Sequence, residues 1–456
     1  MSEETVRASF SGKVGFIIAT SASAVGLGNL WRFPYVTSHY GGGIFVLVYV
    51  LVAFTFGVSL MMMETSIGRK TGKSSIAAFG ELCRKYKAIG YLASVIPIII
   101  LAYYCVIGGW VTKWLFESSI GNLSTIAGDG GNYWWEFITG ATDGGFTGPS
   151  FWMVIFLLMC ILCIIAGVEK GIEKLSKYVM PALLIMIIGI ICYEMTMPGI
   201  WDGVTYYLRP DVDEFGSDTV LGAIGQAFYS ISISMGILIT YGSYSKKDVD
   251  LEKASVGVVS VDILVAVLAG FLIVPVAFMF GFQDSQGMGL MFNALPQVFV
   301  SMTGGAIIAP VFYLLVLLAA LTSAISLAET CTSLFMDGAK MSRGRSVAIS
   351  SILLLIVAMI CILGFEGGPL FVDTPLSQGV GWLGFLDTLT NNLMMPAIAI
   401  ITCIFIAYVV KIKVLEDEIS ISSGFKTRPV FRLMIKYVCP LLLTILLAVN
   451  IGKMIL

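Results

Sequence analysis

The sequence has little charge and almost no histidine, and these shortages exclude several classes of protein. Only 12% of its 456 residues are charged, whereas soluble domains carry about 25%. The single histidine, His39, leaves no set of imidazoles for zinc, haem or triad chemistry. The formal net charge of −2 provides no basic patch for nucleic acid. We therefore expect no nucleic-acid partner and no histidine-based site.

The nine cysteines do not form the pattern of a disulfide framework. Most of them lie inside apolar runs, where a thiol behaves as a small hydrophobic group. Cys160 and Cys163 have the spacing of half a zinc site, but neither a second pair nor a histidine cluster accompanies them. The sequence also shows no nucleophile motif and no phosphate-binding loop. We expect that the protein is not an enzyme.

Long hydrophobic runs are what the sequence has in abundance. Hydrophobic residues make up 57% of it, and the mean hydropathy is +0.93. The runs are roughly twenty residues long, the length of helix that crosses a hydrocarbon layer of about 30 Å. We predict an all-α integral membrane protein with eleven spans. Spans 1 to 11 are predicted at 13–37, 42–68, 89–117, 150–166, 175–197, 219–243, 254–282, 306–337, 346–364, 382–409 and 433–454.

Lysine and arginine are concentrated in alternate connections between the spans. One set of connections holds 23 of the 27 basic residues, and only Arg32, Lys113, Arg209 and Lys453 lie elsewhere. Basic residues are retained on the cytoplasmic side of a membrane, so the amino terminus is predicted to be cytoplasmic and the carboxyl terminus external. We expect a multi-pass protein of the plasma membrane, the inner membrane of the cell.

Two spans contain residues that disfavour a continuous membrane helix. Residues 22–34 of span 1 include glycines, an asparagine, an arginine and a proline, and residues 225–236 of span 6 combine hydroxyl side chains with glycine. Glycine and proline disfavour a helix interior, and backbone freed at membrane depth must be buried or must line a wet cavity. Close packing through small residues, or hydroxyls bonded to their own helix, are the alternative interpretations.

The two interrupted spans hold equivalent places in two halves of five spans each. Paired broken helices indicate a midplane binding site in a transporter built from inverted repeats. We therefore predict a 5+5 inverted repeat with broken helices 1 and 6. The predicted parts are a cytoplasmic segment, 1–12; the first repeat, 13–197; an external loop, 198–218; the second repeat, 219–409; a cytoplasmic loop, 410–432; and span 11 within 433–456.

Spans 2, 7 and 8 carry further polar groups at membrane depth. Thr322 and Ser323 follow one another in span 8, and neutral oxygens of this kind suit a monovalent cation better than a divalent one. Glu64 in span 2 and Asp262 in span 7 are intramembrane carboxylates, which are candidates for function. Serine and threonine also join membrane helices through hydrogen bonds, so the hydroxyl pair alone does not decide between a site and a packing contact.

Four motifs combine the features above. They are residues 24–34 of span 1, Tyr103-Tyr104 of span 3, residues 225–232 of span 6 and residues 321–323 of span 8. In this order and at this spacing they resemble the neurotransmitter:sodium symporter family, over nearly the whole chain. The eleven spans are similar to those of its short bacterial members. The resemblance implies the fold of the bacterial leucine transporter and sodium-coupled import of an amino acid by alternating access.

The same resemblance implies ligands for two sodium ions. The first ion would bind the carbonyl of Ala24, the side chains of Asn29, Ser230 and Asp262, and the substrate carboxylate. The second ion would bind the carbonyls of Ala22, Val25 and Ala319 and the hydroxyls of Thr322 and Ser323.

It also implies the residues around the substrate and the gates that enclose it. The polar end of the substrate would meet Ala24, Leu27, Gly28, Tyr104, Tyr229 and Ser232, and its side chain would lie among Ile100, Tyr104, Tyr229, Met235, Ser323 and Leu327. The gates would be Arg32 with Asp387 on the external side, and Arg7 with Asp337, beside Tyr244, on the cytoplasmic side.

Three positions refine what the resemblance implies. Asp262 replaces an asparagine of the leucine transporter and of animal members, and its fixed charge could take the place of bound chloride, so we expect chloride-independent transport. Gly26 stands where monoamine transporters have an aspartate for the amine, which favours a substrate with its own carboxylate. Ser234 stands where many bacterial members have glycine, which affects the shape of the unwound stretch.

The expected cargo is a neutral hydrophobic or aromatic L-amino acid, with tyrosine favoured. An aliphatic amino acid or another small zwitterion is the alternative. An ion channel is disfavoured, because the sequence has no selectivity-filter repeat. The expected partners are the substrate, sodium ions and the lipid bilayer, and the sequence does not determine the oligomeric state.

Overall fold

Helices form nearly all of the regular structure in the part of the chain that the computed structural model describes. The described residues are 8–128, 132–140, 148–282, 285, 287–374, 376–377, 379–422 and 424–455. The unbroken spans are Gly43–Thr71 (span 2), Lys87–Ser119 (3), Pro149–Ile165 (4), Val168–Glu194 (5), Leu251–Met279 (7), Gly305–Gly338 (8), Arg343–Leu363 (9), Gly381–Lys411 (10) and Arg428–Met454 (11). Spans 1 and 6 are each built from two helices. An all-α membrane fold is thereby confirmed.

Length and composition support the membrane assignment. Eight of the described helices are long and apolar enough to cross a bilayer, and the bent pair of span 1 makes a ninth candidate. Span 4 has 17 residues and lies at the lower limit for crossing, which is about 17. We call the end of the bundle that carries the connections 2–3, 4–5, 6–7, 8–9 and 10–11 the basic end, because those connections hold most of the lysines and arginines.

The connections contain helices that hydropathy alone did not reveal. The predicted loop 198–218 includes the helix Ile200–Leu208, and the predicted loop 410–432 includes the helix Lys413–Ile419. Span 11 begins at Arg428 rather than at 433. Its first turns carry Arg428, Arg432 and Lys436, which lower the local hydropathy, although arginine and lysine are good helix formers.

Span 1 breaks between Ala24 and Gly28, as its glycines predicted. The helix Lys13–Ala24 ends with Val25 in an extended conformation, and the second helix, Gly28–His39, is inclined to the first by 50°. The amide oxygen of Asn29 accepts the freed backbone N–H of Gly26 at 3.0 Å. An interior side chain thus replaces the helical hydrogen bond that the break removes.

Span 6 breaks between the helices Ser217–Ser230 and Ile237–Tyr244. Ser232, Ser234 and Gly236 have φ angles of 57°, 62° and 74°, the left-handed region that costs a non-glycine residue about 1–2 kcal/mol. The carboxylate of Glu64 in span 2 accepts the backbone N–H of Ser234 at 2.8 Å. Ser234 therefore keeps the turn that a glycine would adopt freely, because the Glu64 carboxylate holds it.

The second half of span 6 is fixed to span 2 through close backbone contact. A Cβ added at Gly68 would lie 1.8 Å from the carbonyl oxygen of Ile239, and one added at Gly242 would lie 2.2 Å from that of Thr65. Such distances leave no room for a side chain. The two segments therefore form one packed unit below the unwound stretch.

Candidate functional site

The interruptions of spans 1 and 6 face each other across a cavity of about 40 Å³. Its walls are formed by Ser23, Ala24, Gly26, Leu27, Gly28, Ile100, Tyr104, Tyr229, Ser230, Ser232, Met235, Ile237, Ser323 and Leu327. Every residue predicted to meet the substrate is in this lining. The structure thus brings residues from spans 1, 3, 6 and 8 around one small space.

A cluster of oxygen atoms lies at one side of this cavity, around Asp262. The carboxylate of Asp262 is fully buried and accepts Ser230 Oγ at 2.7 Å, Asn29 Nδ2 at 2.8 Å and Tyr49 Oη at 2.8 Å. Asn29 Nδ2 also lies 3.1 Å from Ser230 Oγ. The side chains predicted for the first sodium ion are therefore in mutual contact, and Ala24 lies in the same cavity wall.

This donor set fits a small alkali cation. The Asp262 carboxylate and the Ser230 hydroxyl are hard oxygen ligands, and no thiolate or imidazole is among these groups. The oxygen of the Asn29 amide accepts the Gly26 N–H, while its nitrogen faces Asp262. Among the described residues no basic side chain pairs with Asp262, and a buried carboxylate of this kind is costly, so a monovalent cation at this place would compensate its charge. Tyr49 belongs to the group as well, although its place in the apolar run of span 2 gave no sequence signal.

A second cluster joins span 1 to span 8 on the other side of the break. Ser323 Oγ donates to the carbonyl oxygens of Val25 and Ser23, each at 3.1 Å, and Thr322 Oγ1 donates to that of Ala319 at 3.0 Å. The predicted members Val25, Ala319, Thr322 and Ser323 are thus assembled from two elements, and Ala22 is buried next to them in span 1. All donors here are neutral oxygens, which suits a monovalent cation.

The polar wall of the cavity is made by the broken backbone and one tyrosine. The N–H of Leu27 lies 3.4 Å from the Tyr104 hydroxyl, and Gln226 Nε2 donates to the carbonyl oxygen of Gly28 at 3.1 Å. Span 3 and span 6 therefore both hold the unwound part of span 1. The helix Gly28–His39 begins at the cavity and directs its positive end toward it, which favours an anionic group there.

Tyr229 and Arg32 cover the cavity on the side away from the basic end. The Arg32 guanidinium lies 5.1 Å from the centre of the Tyr229 ring, a cation–π distance. Asp387 accepts Asn391 Nδ2 at 2.6 Å. In the described part of the chain no direct ion pair joins Arg32 to Asp387. Beyond this cover, a larger cavity of about 290 Å³ extends along spans 1, 6, 10 and 11.

A network of charged and aromatic residues closes the route toward the basic end. The Tyr244 hydroxyl donates to Glu329 at 2.8 Å, and Arg343 binds both carboxylate oxygens of Glu329, at 2.8 and 2.5 Å. Asp337 accepts the N–H of Ser74 at 2.6 Å. Arg7, the predicted partner of Asp337, lies outside the described residues.

Sequence reasoning missed several of these groups. Ser23 and Ile237 line the cavity, and Glu329 is fully buried at the centre of the closing network. A signal for Glu329 existed, since it is an ionisable residue inside span 8. No comparable signal exists for Ile237, because an isoleucine in an apolar run is unremarkable until the opposite wall is known.

A family model gives an independent view of the chain. The model described as "Sodium:neurotransmitter symporter family" matches residues 7–136 and 131–455, which is nearly the full length.

Individual proteins are similar over comparable lengths. An uncharacterised sodium-dependent transporter of Haemophilus influenzae is 29% identical over 461 residues and covers 98% of each chain. The uncharacterised sodium-dependent transporter YhdH of Bacillus subtilis is 30% identical over 399 residues and covers 87% of each chain. The crystal structure of MhsT in complex with L-phenylalanine superposes with a TM-score of 0.84 at 31% identity, covering 97% of this chain and 99% of that one.

Proposed function

Because the chain belongs to the sodium:neurotransmitter symporter family, and is thus a sodium-dependent membrane transporter, we propose that it imports a neutral hydrophobic or aromatic L-amino acid. The observation that carries this proposal is the lining of the cavity between the broken spans, which pairs a polar wall with an apolar one. Tyrosine is the favoured substrate.

The polar wall suits a zwitterion rather than a simple amine. A Cβ at Gly26 would lie 2.5 Å from Ser323 Oγ and 3.3 Å from the Tyr104 hydroxyl, so no aspartate fits there without movement. A substrate amine then lacks a protein carboxylate close to this position. An amino acid supplies its own carboxylate, which would face the Leu27 and Gly28 backbone and the Tyr104 hydroxyl.

The apolar wall selects the substrate side chain. Ile100, Met235, Ile237 and Leu327 offer no partner for a charge, so a charged side chain would lose its hydration without compensation. Methionine is unbranched and flexible, and it contacts aromatic rings favourably. The phenylalanine bound by MhsT supports an aromatic cargo. An aliphatic amino acid or another small zwitterion is the alternative that uptake competition would distinguish.

Sodium and substrate would be coupled through shared contacts. In the proposed mechanism one ion binds beside Asp262 and also contacts the substrate carboxylate, so each ligand raises the affinity of the other. A second ion would bind between Val25 and Ser323 and hold span 1 against span 8. Loss of this ion would free the first half of span 1 and open the site to the other side of the membrane.

Transport is proposed to be independent of chloride. Asp262 places a fixed negative charge in the first cluster, where its three hydrogen-bond donors hold it next to the proposed ion. With that charge present, a mobile anion is not needed to balance the sodium ions. Protonation of Asp262 on the empty return step would complete the cycle without an unpaired buried charge.

The proposed orientation follows from the basic residues. The basic end would face the cytoplasm, the amino terminus would be cytoplasmic and the carboxyl terminus external, in the plasma membrane. The cavity of about 290 Å³ beyond Arg32 and Tyr229 would then be the external entrance. Arg32 and Asp387 would act as the external gate, and Asp337, Arg7 and Tyr244 as the cytoplasmic one.

Uptake into proteoliposomes tests the proposal. Labelled tyrosine should accumulate above its external concentration only when an inward sodium gradient is imposed. Each of the twenty amino acids would be added as a competitor, and phenylalanine and tyrosine should compete better than lysine or glutamate. Equal accumulation with potassium in place of sodium, or competition by charged amino acids alone, would contradict the proposal.

A further inference from the structure

Basic side chains converge where span 11 begins. Arg428, Arg432 and Lys436 are four residues apart, so they form one stripe along the first turns of the helix. Glu416 receives Arg432 Nε at 2.8 Å and Nη2 at 2.7 Å. This hydrogen-bonded pair, together with the charges of Arg428 and Lys436, lowers the pKa of Glu416. Of these three cations, only Arg432 is hydrogen-bonded to Glu416 in the described part of the chain, and Arg428 and Lys436 act on it through their charges.

The other acidic residues of the 10–11 connection do not neutralise this excess. Glu418 is buried and already binds Arg69 at 3.0 Å and Lys247 at 2.5 Å, both from elsewhere in the chain. Asp417 is exposed, and this one acidic side chain stands against the exposed Lys411, Lys413 and Lys426. The described part of the connection thus keeps a net positive charge at its surface.

A hydrogen bond from Tyr408 links the two helices that flank the connection. Its hydroxyl donates to the main-chain oxygen of Lys436 at 3.2 Å. Lys411 lies three residues beyond Tyr408 in span 10, a rise of about 4.5 Å along the helix axis. Arg432 lies four residues before Lys436 in the antiparallel span 11, a rise of about 6 Å in the same direction. Lys411 and Arg432 therefore lie at nearly the same level, nearer the basic end than the tyrosine.

The surface next to these charges is apolar and faces outward. Tyr408, Leu433 and Tyr437 are 58%, 54% and 59% exposed. Only 28% of the most apolar stretch of span 11 is buried inside the protein. Lipid chains therefore contact this surface, and tyrosines at such a level are typical of the boundary between hydrocarbon and headgroups.

We propose that Lys411, Lys413 and Lys436, with Arg432 behind them, bind the phosphate headgroup of an anionic phospholipid whose acyl chains lie along spans 10 and 11. We call this the 10–11 lipid site. The charges alone would bind any phosphate group. The apolar surface directly beside them favours a lipid, because it can contact acyl chains. A basic residue near a membrane surface favours anionic lipid about fivefold, and neighbouring residues multiply this effect.

The test measures lipid binding to the purified full-length protein. Phosphatidylglycerol and phosphatidylcholine would each be titrated into protein in neutral detergent, with bound lipids counted by native mass spectrometry. The variant K411Q/K413Q/K436Q removes three charges but leaves the Arg432–Glu416 pair intact. We expect it to weaken phosphatidylglycerol binding by about 100-fold and to leave phosphatidylcholine binding unchanged.

Two further variants separate a specific site from general attraction. K170Q/K177Q/K340Q removes three exposed lysines elsewhere at the basic end and should change phosphatidylglycerol affinity less than threefold. K411R/K413R/K436R keeps the charges and should keep the binding, which would show that the positive charge is the required property. Unchanged phosphatidylcholine binding by K411Q/K413Q/K436Q excludes misfolding as the cause of its loss. Any of three results would overturn the proposal. The two glutamine variants lose phosphatidylglycerol affinity equally, the natural chain binds both lipids with equal affinity, or soluble glycerol phosphate displaces phosphatidylglycerol. None of these readouts depends on transport.

Discussion

At the residue scale, a few oxygen atoms form the two clusters that are proposed to bind sodium. Asp262, Asn29 and Ser230 form one cluster, and Thr322 and Ser323 belong to another. The clusters differ in formal charge, since only the first contains a carboxylate. We therefore expect that substitutions in the two clusters will have different consequences.

Replacing the hydroxyls of the second cluster should remove sodium stimulation. Thr322→Ala with Ser323→Ala deletes two of the neutral oxygens, and the doubly substituted chain should show tyrosine uptake no higher than protein-free vesicles. Uptake at increasing sodium concentration is the measurement. The matched control is Thr330→Ala in the same span, because the Thr330 hydroxyl bonds to the carbonyl of Ser326 and to no other group in the described part of the chain. Preserved sodium stimulation in the double variant would mean that the second cluster is not a sodium site.

Replacing the carboxylate of the first cluster should create a chloride requirement. Asp262→Asn keeps the size of the side chain but removes its charge, which bound chloride would then have to supply. We expect uptake by the variant to fall at least about tenfold when chloride is exchanged for gluconate, with the natural chain unaffected. A natural chain that loses uptake in gluconate and regains it in chloride would refute the proposed role of Asp262.

At the scale of elements, the broken spans need support from their neighbours. A break leaves backbone donors without their helical partners, and each buried one costs about 1–3 kcal/mol unless another group accepts it. Asn29 performs this task in span 1, and Glu64 performs it in span 6. The breaks are thus stable features of the fold rather than frayed helices.

Removing the acceptor of span 6 should destabilise the protein. Glu64→Ala leaves the Ser234 N–H without its partner, and we expect a cost of about 1–3 kcal/mol, seen as a lower melting temperature in detergent. Glu64→Gln retains an acceptor oxygen and should recover most of the loss. If the alanine and glutamine variants melt together, the hydrogen bond to Ser234 is not what stabilises the break.

At the scale of the whole molecule, one buried ion pair joins parts that are distant in sequence. Arg69 at the end of span 2 binds Glu418 after span 10 at 3.0 Å, and it donates to the carbonyl of Val249 before span 7 at 2.6 Å. Lys247 adds a second contact to Glu418. The carboxylate of Glu418 is therefore shared among three connections at the basic end of the bundle.

Removing this carboxylate should loosen the basic end. Glu418→Ala leaves Arg69 buried without its charge partner, and losing one member of a buried pair costs about 3–5 kcal/mol. We expect a clearly lower melting temperature and reduced maximal uptake. Asp417→Ala changes the exposed neighbour, which forms no ion pair among the described residues, and should behave like the natural chain. Equal melting temperatures for the two variants would contradict this role for Glu418.

The sequence alone determined the membrane class, the position of the spans and the two breaks. Runs of about twenty apolar residues have the length that crosses a bilayer. Several small and polar residues close together, as in residues 22–34, indicate a break, whereas a lone proline such as Pro97 or Pro275 lies inside an unbroken helix. The helices begin and end within about seven residues of the predicted bounds. The helix Lys413–Ile419 was not predicted, because its charged residues give it the low hydropathy that is typical of a loop.

Only the tertiary structure decided which groups meet. Tyr49 reaches Asp262, Glu64 reaches Ser234, and Glu418 reaches Arg69 across separations that no local pattern encodes. Local periodicity reports whether a residue lies on a polar or an apolar face, but it carries no information about the partner opposite. The packing of whole helices against one another fixes those partners, so the residues proposed to bind sodium could be predicted, but their supporting contacts emerged only from the fold.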